Sequence, residues 1–91
     1  MPLLFTLPTK MLLEIVTPDK KIFQGEVTQA SFPGADGSFQ VLKDHAPIVS
    51  ALAKGVVSFT TDEKRVSLTV DGGVVEVKDN HIIVLAEKVV E

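Results

Sequence analysis

The sequence predicts an all-β fold, a flattened β-sandwich or barrel of about eight to ten short, mainly antiparallel strands. The first observation is alternation: Val66, Leu68 and Val70 are separated by polar residues. A period of two directs one row of side chains inward and the other toward water. The second observation is that turn residues recur at short intervals, with no apolar stripe of helical spacing between them.

Each strand is predicted where a short apolar or alternating segment lies between turn residues. In chain order, we expect strands at 13–15, 22–23, 27–32, 39–42, 48–52, 57–59, 66–70, 75–77 and 82–85. Glycine, proline, aspartate and asparagine mark the turns between them, because these residues tolerate or favour turn conformations. Turns are expected at 17–19, Gly25, 33–37, 62–64, 71–73 and 79–80. The core is expected to contain Phe59, Leu68, Val70 and Val77.

The segment 82–85, Ile-Ile-Val-Leu, departs from the alternation because it is apolar on both faces. It is either a central strand covered on both sides by its own chain or a strand whose outer face contacts a neighbouring protein. Periodicity alone does not decide between these two interpretations.

Ninety-one residues correspond to one domain. Residues 1–10 are apolar but interrupted by prolines and lack a basic start, so they are predicted to be a disordered extension before a domain at 11–91. No apolar run approaches the roughly 18 residues of a membrane span, and direct membrane insertion is not expected.

Composition narrows the classes of partner. The net charge is −3 and no basic cluster is present, so nucleic acid is not an expected partner. The absence of cysteine excludes disulfides and thiolate metal sites. Hydrophobic residues make up 45% of the chain and mean hydropathy is +0.29. This is more than a lone small domain needs, which indicates that part of the apolar surface covers another protein.

The sequence contains no catalytic constellation. Its two histidines, His45 and His81, are not at metal-ligand spacing from each other or from paired carboxylates. The glycine-containing loop at 34–37 is not followed by the Lys-Ser/Thr of a phosphate-binding loop. We therefore expect neither enzymatic activity nor a cofactor.

Several ordered motifs carry a resemblance to a known family. Residues 13–27 end in F-x-G-x-V, and 32–42 are similar to a loop and strand of the form PG-x-x-G-x-x-G-V-L. Residues 45–52 resemble HAP…L, and 72–77 and 84–87 match GG-x-x-E-V and V-L-A-E. In this order and spacing, they resemble the amino-terminal β-sandwich domain of the epsilon subunit of F-type ATP synthase, in a short form without the C-terminal helical hairpin.

The chain also departs from that pattern. Lys43 and Asp44 replace the usual Pro-Gly before the histidine, and Gln40 stands where glycine is common. Asp36 stands where many relatives carry glutamate, which keeps the charge.

The resemblance implies a non-catalytic subunit of the central stalk, or rotor. Such a subunit clamps the gamma subunit to the membrane c-ring and helps couple ion-driven rotation to ATP synthesis. The implied location is the cytoplasmic face of the bacterial inner membrane, as a peripheral part of the complex.

The resemblance also implies contact residues for both partners. The c-ring contact falls on Gly34, Ala35, Asp36 and Gly37. The gamma contact falls on Thr17, His45, Ile48, Val49 and Ser50. Ile48 and Val49 are adjacent apolar residues, so in a strand one of them must face away from the core.

The residues disfavour two other classes of function. A β-sandwich module of another family would need a concave pocket with converging polar groups, and no aromatic or charged cluster is available to line one. A small hydrolase would need a nucleophile and a base in proximity, for which the sequence offers no motif.

Overall fold

A computed structural model of the chain describes residues 10–62 and 64–90. Eight strands follow one another along the chain: β1 Met11–Val16, β2 Lys21–Val27, β3 Gln29–Phe32, β4 Phe39–Val41, β5 Ile48–Thr61, β6 Lys64–Lys78, β7 His81–Ala86 and β8 Val89–Val90. The described residues contain no helix, and the predicted all-β class is confirmed. The extension predicted at 1–10 lies outside the described residues except for Lys10, whose Nζ lies 3.9 Å from Oε1 of Glu26.

The strands form one sheet in the order β2-β1-β7-β6-β5-β3-β4, with β8 paired to β6. All strand pairs are antiparallel except β1 with β7, which lie parallel from Leu12 opposite His81 to Val16 opposite Leu85. The prediction of mainly antiparallel pairing is therefore correct.

The sheet folds over itself into a sandwich. The rings of Phe23 on β2 and Phe59 on β5 have centroids 4.5 Å apart. These two strands are four positions apart in the sheet, which in a flat sheet would separate them by about 19 Å. The contact therefore requires that β2 and β5 face each other across the core.

The strands β5 and β6 are long, with 14 and 15 residues, and our prediction of short strands is wrong for them. The segments 48–52 and 57–59 are one strand, as are 66–70 and 75–77. In β6 the buried positions change from even to odd, from Val70 to Val75.

The change occurs at Gly72 and Gly73, whose φ angles of 86° and 136° bend the strand without ending it. The turn predicted at 71–73 is therefore wrong, because these residues lie inside β6. An added Cβ at Gly73 would collide with the carbonyl oxygen of Leu85, so the close approach of β7 also requires glycine there.

The turn predicted at Gly25 is also wrong, because Gly25 lies inside β2 and pairs with Leu13 on β1. An added Cβ would lie 3.0 Å from Cζ of Phe23. This glycine therefore makes room for an aromatic ring rather than for a change of chain direction.

Two other predicted turns agree with the structure. Asp79 and Asn80 join β6 to β7 with φ angles of 51° and 61°, the positive pair that a two-residue type I′ hairpin requires. At the end of β1, the amide of Thr17 donates to the carbonyl of Lys20 at 2.9 Å and closes the turn predicted at 17–19.

The core lies between the two folded halves of the sheet. Its buried apolar residues are Met11, Leu13, Ile15, Val27, Ala30, Phe32, Val41, Leu52, Val57, Phe59, Val70, Val75, Val77, Ile82, Val84 and Ala86. Three of the four predicted core residues are among them, but Leu68 is only half-buried and packs at the margin.

Candidate functional site

The first candidate surface is the tip loop, residues 33–38, which connects β3 to β4. The amide of Gly37 donates to the carbonyl of Gly34 at 3.0 Å, so Ala35 and Asp36 occupy the centre of a tight turn. Ala35, Asp36 and Gly37 are exposed, while Gly34 is buried at the base of the loop. The four residues implied for a c-ring contact are thus one turn, three of whose residues are open to solvent.

The base of the tip loop is attached to β5. The amide of Ala35 donates to the carbonyl of Ala51, and the amide of Ala53 donates to the carbonyl of Pro33, both at 2.8 Å. An added Cβ at Gly34 would meet the carbonyl of Gly37, so the turn can close this tightly only around glycine. The exposed tip is therefore presented from a fixed base.

Of the five residues implied for a gamma contact, Thr17 and His45 lie at opposite ends of the sheet, and 48–50 lie between them on β5. Thr17 follows the last residue of β1, and its hydroxyl accepts from the amide of Lys20 at 3.3 Å. His45 lies in the β4–β5 loop, near the Asp79–Asn80 turn and the start of β1. The length of β1 therefore separates the two residues, roughly 17–20 Å for a strand of this size.

His45 is half-buried and held by its own loop. Its amide donates to the carbonyl of Leu42 at 3.0 Å, and Nδ1 lies 2.7 Å from the carbonyl oxygen of Ala46. At that distance Nδ1 carries the proton, because a carbonyl oxygen only accepts. The tautomer leaves Nε2 as the ring nitrogen able to accept a hydrogen bond from a partner.

The side chains of residues 48–50 point alternately to the two faces of the sheet, as in any β-strand. Val49 is the outward residue of the apolar pair, with 69% of its surface exposed, whereas Ile48 packs against the core. Ser50 lies opposite the buried Val75 and donates its hydroxyl to the carbonyl of Ala51. Only Val49 of the three faces outward.

An outer apolar row crosses four strands at the Thr17 end of the sheet. Its residues are in register from Ala51 on β5 through Val74 on β6 and Leu85 on β7 to Val16 on β1. Val74 is 40% exposed and Leu85 54% exposed. At the β1 end, a recess of about 340 Å³ is lined by Val16, Thr17, Pro18, Leu85, Ala86 and Glu87.

The structure tests the first interpretation of segment 82–85, a central strand covered on both sides by its own chain. Ile82 and Val84 are fully buried, but Leu85 is exposed and Ile83 is half-buried. The strand is therefore covered on one face, and among the described residues its other face lies open. The sequence does not indicate Val74 as a surface residue, because a turn at 71–73 would separate it from Leu85, which it opposes in the structure.

The same face carries His81 beside Glu14. Nε2 of His81 lies 3.8 Å from Oε2 of Glu14 and has no hydrogen-bond partner in the described part of the chain. Residues 10–62 and 64–90 contain no group of three or more His, Cys, Asp or Glu side chains placed to hold a metal ion. They also contain no helix that is long and apolar enough to cross a membrane.

These features define a class: a small β-sandwich whose distinctive surfaces are an exposed glycine-flanked turn and an apolar strip across a sheet, both suited to contact other proteins. Comparison with known proteins makes the assignment specific. The chain belongs to the family described as the ATP synthase delta/epsilon chain β-sandwich domain, whose model matches residues 10–91. The expectation of a subunit without catalytic activity of its own agrees with this membership.

Similar chains bear the same description. The ATP synthase epsilon chain of Chlorobium limicola is 46% identical over 78 residues, which cover 85% of this chain and 89% of the relative. The epsilon chain of Leptospira interrogans is 38% identical, with coverage of 86% and 61%. That of Maridesulfovibrio salexigens is 40% identical, with coverage of 87% and 56%. The chain thus spans most of the first relative but under two thirds of the other two.

Solved structures support the fold. A chain in the mitochondrial ATP synthase of Euglena gracilis, solved as OSCP/F1/c-ring, matches with a TM-score of 0.85 at 22% identity, covering 94% of this chain and 56% of that one. A chain in the central stalk and c-ring of the Tetrahymena thermophila enzyme matches with a TM-score of 0.74 at 16% identity, covering 94% and 69%.

Proposed function

We propose that this chain is a central-stalk subunit of an F-type ATP synthase that clamps the gamma subunit to the c-ring and helps couple ion-driven rotation to ATP synthesis. It acts as a peripheral component at the cytoplasmic face of the bacterial inner membrane. The family membership and the assemblies named for the similar solved structures support this role.

The outer apolar row is the observation that carries the gamma contact. It lies at the Thr17 end of the outer face, and Val49 stands in the next row along β5, so one protein lying on this face would reach both. A partner that also contacts His45 would have to extend along the length of β1. The exposed Val74 and Leu85 would form the apolar centre of that contact. Interfaces commonly surround such a centre with polar residues, and Glu14 and Glu76 flank it in the next row.

The tip loop supplies the c-ring contact in this proposal. Its exposed turn allows backbone to approach a partner closely, and Asp36 offers a carboxylate to basic or polar loops. The tip loop is small and polar, whereas the centre of the proposed gamma contact is the outer apolar row. The c-ring would therefore be bound by polar contacts and the gamma subunit mainly by apolar ones.

Both surfaces share β5, which suits a mechanical clamp. Ala51 belongs to the outer apolar row, and its carbonyl accepts the hydrogen bond that anchors Ala35 of the tip loop. A load applied at the tip loop would therefore reach the outer apolar row through the two hydrogen bonds at the base of the loop and through β5. Within residues 33–51, the two surfaces meet directly at β5.

The test compares Leu85→Glu with Val56→Glu in binding to purified gamma subunit. The two residues are equally exposed, at 54%, but Val56 is not part of the outer apolar row. A charge buried without a partner at an interface centre is costly, so Leu85→Glu should weaken gamma binding at least tenfold, which is about 1.4 kcal/mol. Val56→Glu should bind as the wild type does.

Binding to purified c-ring serves as the second measurement, and neither substitution should change it by more than about twofold. Wild-type chain that binds neither gamma nor c-ring would contradict the proposed role. Equal losses of gamma binding for the two variants would instead show that the outer apolar row is not the contact.

A further inference from the structure

Two turns that are distant in sequence are connected by a pair of non-glycine residues with positive φ. Asp44, in the β4–β5 loop, has φ of 66°, and Asn80, in the β6–β7 turn, has φ of 61°. Aspartate and asparagine occupy this left-handed region more readily than other side chains do, but glycine occupies it at no steric cost. The backbone conformation alone therefore does not require Asp and Asn at these positions, and what distinguishes them from glycine is the contacts of their side chains.

The side chains bind each other's turns. The backbone amide of Asp44 donates to Oδ1 of Asn80 at 2.6 Å, and Nδ2 of Asn80 donates to Oδ1 of Asp44 at 3.2 Å. The second carboxylate oxygen of Asp44 accepts from Nζ of Lys43 at 2.9 Å. Both oxygens of the Asp44 carboxylate and both polar atoms of the Asn80 amide are thus engaged.

Asp44 and Asn80 also restrain the backbone next to His45. Asp44 directly precedes His45, and the carbonyl of Asn80 accepts from the amide of Leu12 at 3.0 Å. Asn80 therefore ties the β4–β5 loop to the start of β1 as well as to its own turn. Leu42, at the other side of the loop, is 51% exposed and gives it little apolar anchorage. Hydrogen bonds are the main restraint on the loop.

We propose that Asp44 and Asn80 are positioning residues that hold the His45 loop in the conformation in which it contacts the gamma subunit. This inference rests on the proposed function. A segment that is ordered before association loses less conformational entropy when it binds, so the pair would slow dissociation of gamma without touching it. The usual Pro-Gly at 43–44 would set the turn through backbone preference, whereas Lys43 and Asp44 set it through side chains.

The experiment uses Asn80→Gly and Asp44→Gly, which keep the positive φ and remove one side chain each. Asp62→Gly is the matched control, because Asp62 also has a positive φ, 49°, in the β5–β6 turn. Amide hydrogen exchange at His45 should become at least tenfold faster in the first two variants and stay unchanged in the control. Dissociation from gamma should be about fivefold faster in the same two variants.

The melting midpoint separates positioning from stability, since glycine is compatible with each backbone conformation. All three variants should melt within about 4 °C of the wild type. Asn80→Gly removes both hydrogen bonds of the pair, whereas Asp44→Gly removes only the one donated by Nδ2 of Asn80. The double variant should therefore dissociate no faster than Asn80→Gly alone. This non-additivity is a readout that independent effects on stability would not produce.

The outcomes separate the positioning role from the proposed function. Unchanged gamma dissociation in both variants, beside a wild type that binds, would overturn the positioning role alone. Unchanged exchange at His45 would overturn it too, because the loop would then be ordered without the pair. A wild type that fails to bind gamma would overturn the proposed function itself.

Discussion

Asp36 and Asp44 are both exposed loop aspartates, but their surroundings differ. Hydrogen bonds from Lys43 and then Asn80 lower the pKa of Asp44 below its ordinary 3.8. A depressed carboxyl pKa contributes stability that is present above its ordinary value and is lost as the pH falls through the folded value. The tie between Asp44 and Asn80 is therefore complete at neutral pH and weakens only in acid.

Asp36 is the residue on which the c-ring contact can be tested. Asp36→Lys should change the free energy of unfolding by less than about 0.5 kcal/mol, because an exposed turn residue seldom contributes more. Binding to purified c-ring should weaken severalfold, since the reversed charge would repel a basic loop. Asp19→Lys, in the exposed β1–β2 turn, is the control and should leave c-ring binding unchanged. A variant that unfolds, or binds as the wild type does, would make Asp36 a turn residue only.

Phe59 tests the core at the level of a single side chain. It is 1% exposed, and its ring packs on Phe23 across the sandwich. Phe59→Ala should lower the free energy of unfolding by about 3–5 kcal/mol, the usual cost of removing a buried aromatic ring. Urea denaturation measures this, and a loss below about 1 kcal/mol would mean that the two halves do not meet at this ring.

At the level of the element, the bend of β6 depends on Gly73. Gly37 offers a matched comparison, because its φ of 131° is close to the 136° of Gly73 but an added Cβ would meet nothing within 4 Å. Gly37→Ala should cost about 1–2 kcal/mol for backbone strain. Gly73→Ala should cost clearly more, since it adds the collision with Leu85. Equal costs in thermal or urea unfolding would show that β7 can move away.

The sequence predicts a turn correctly where the residues of the turn themselves favour its backbone conformation. The Asp79–Asn80 turn follows from two residues that accept positive φ between alternating segments. Gly25 and Gly73 look the same in the sequence, yet one makes room for Phe23 and the other for β7. Those demands come from neighbours that are distant in space, so no local pattern distinguishes such glycines from turn glycines.

The same limit applies to the site. The tip loop is predictable because glycines bound it on both sides, and its position between two strands follows from the pattern. The outer apolar row is not predictable, because it exists only once Ala51, Val74, Leu85 and Val16 stand in register on four strands. The division of Thr17 and His45 between opposite ends of the sheet depends on the same register.

At the scale of the whole molecule, the parallel pairing of β1 with β7 has a consequence for how the chain folds. The two strands are adjacent in the middle of the sheet but roughly 70 residues apart in sequence. Contacts of such separation form slowly, because a long loop must close before they contribute. During synthesis, β1 has its neighbour β2 within reach early, but its second neighbour becomes available only after residue 86 has left the ribosome. The sandwich therefore stays incomplete around β1 until β7 is available to pair with it.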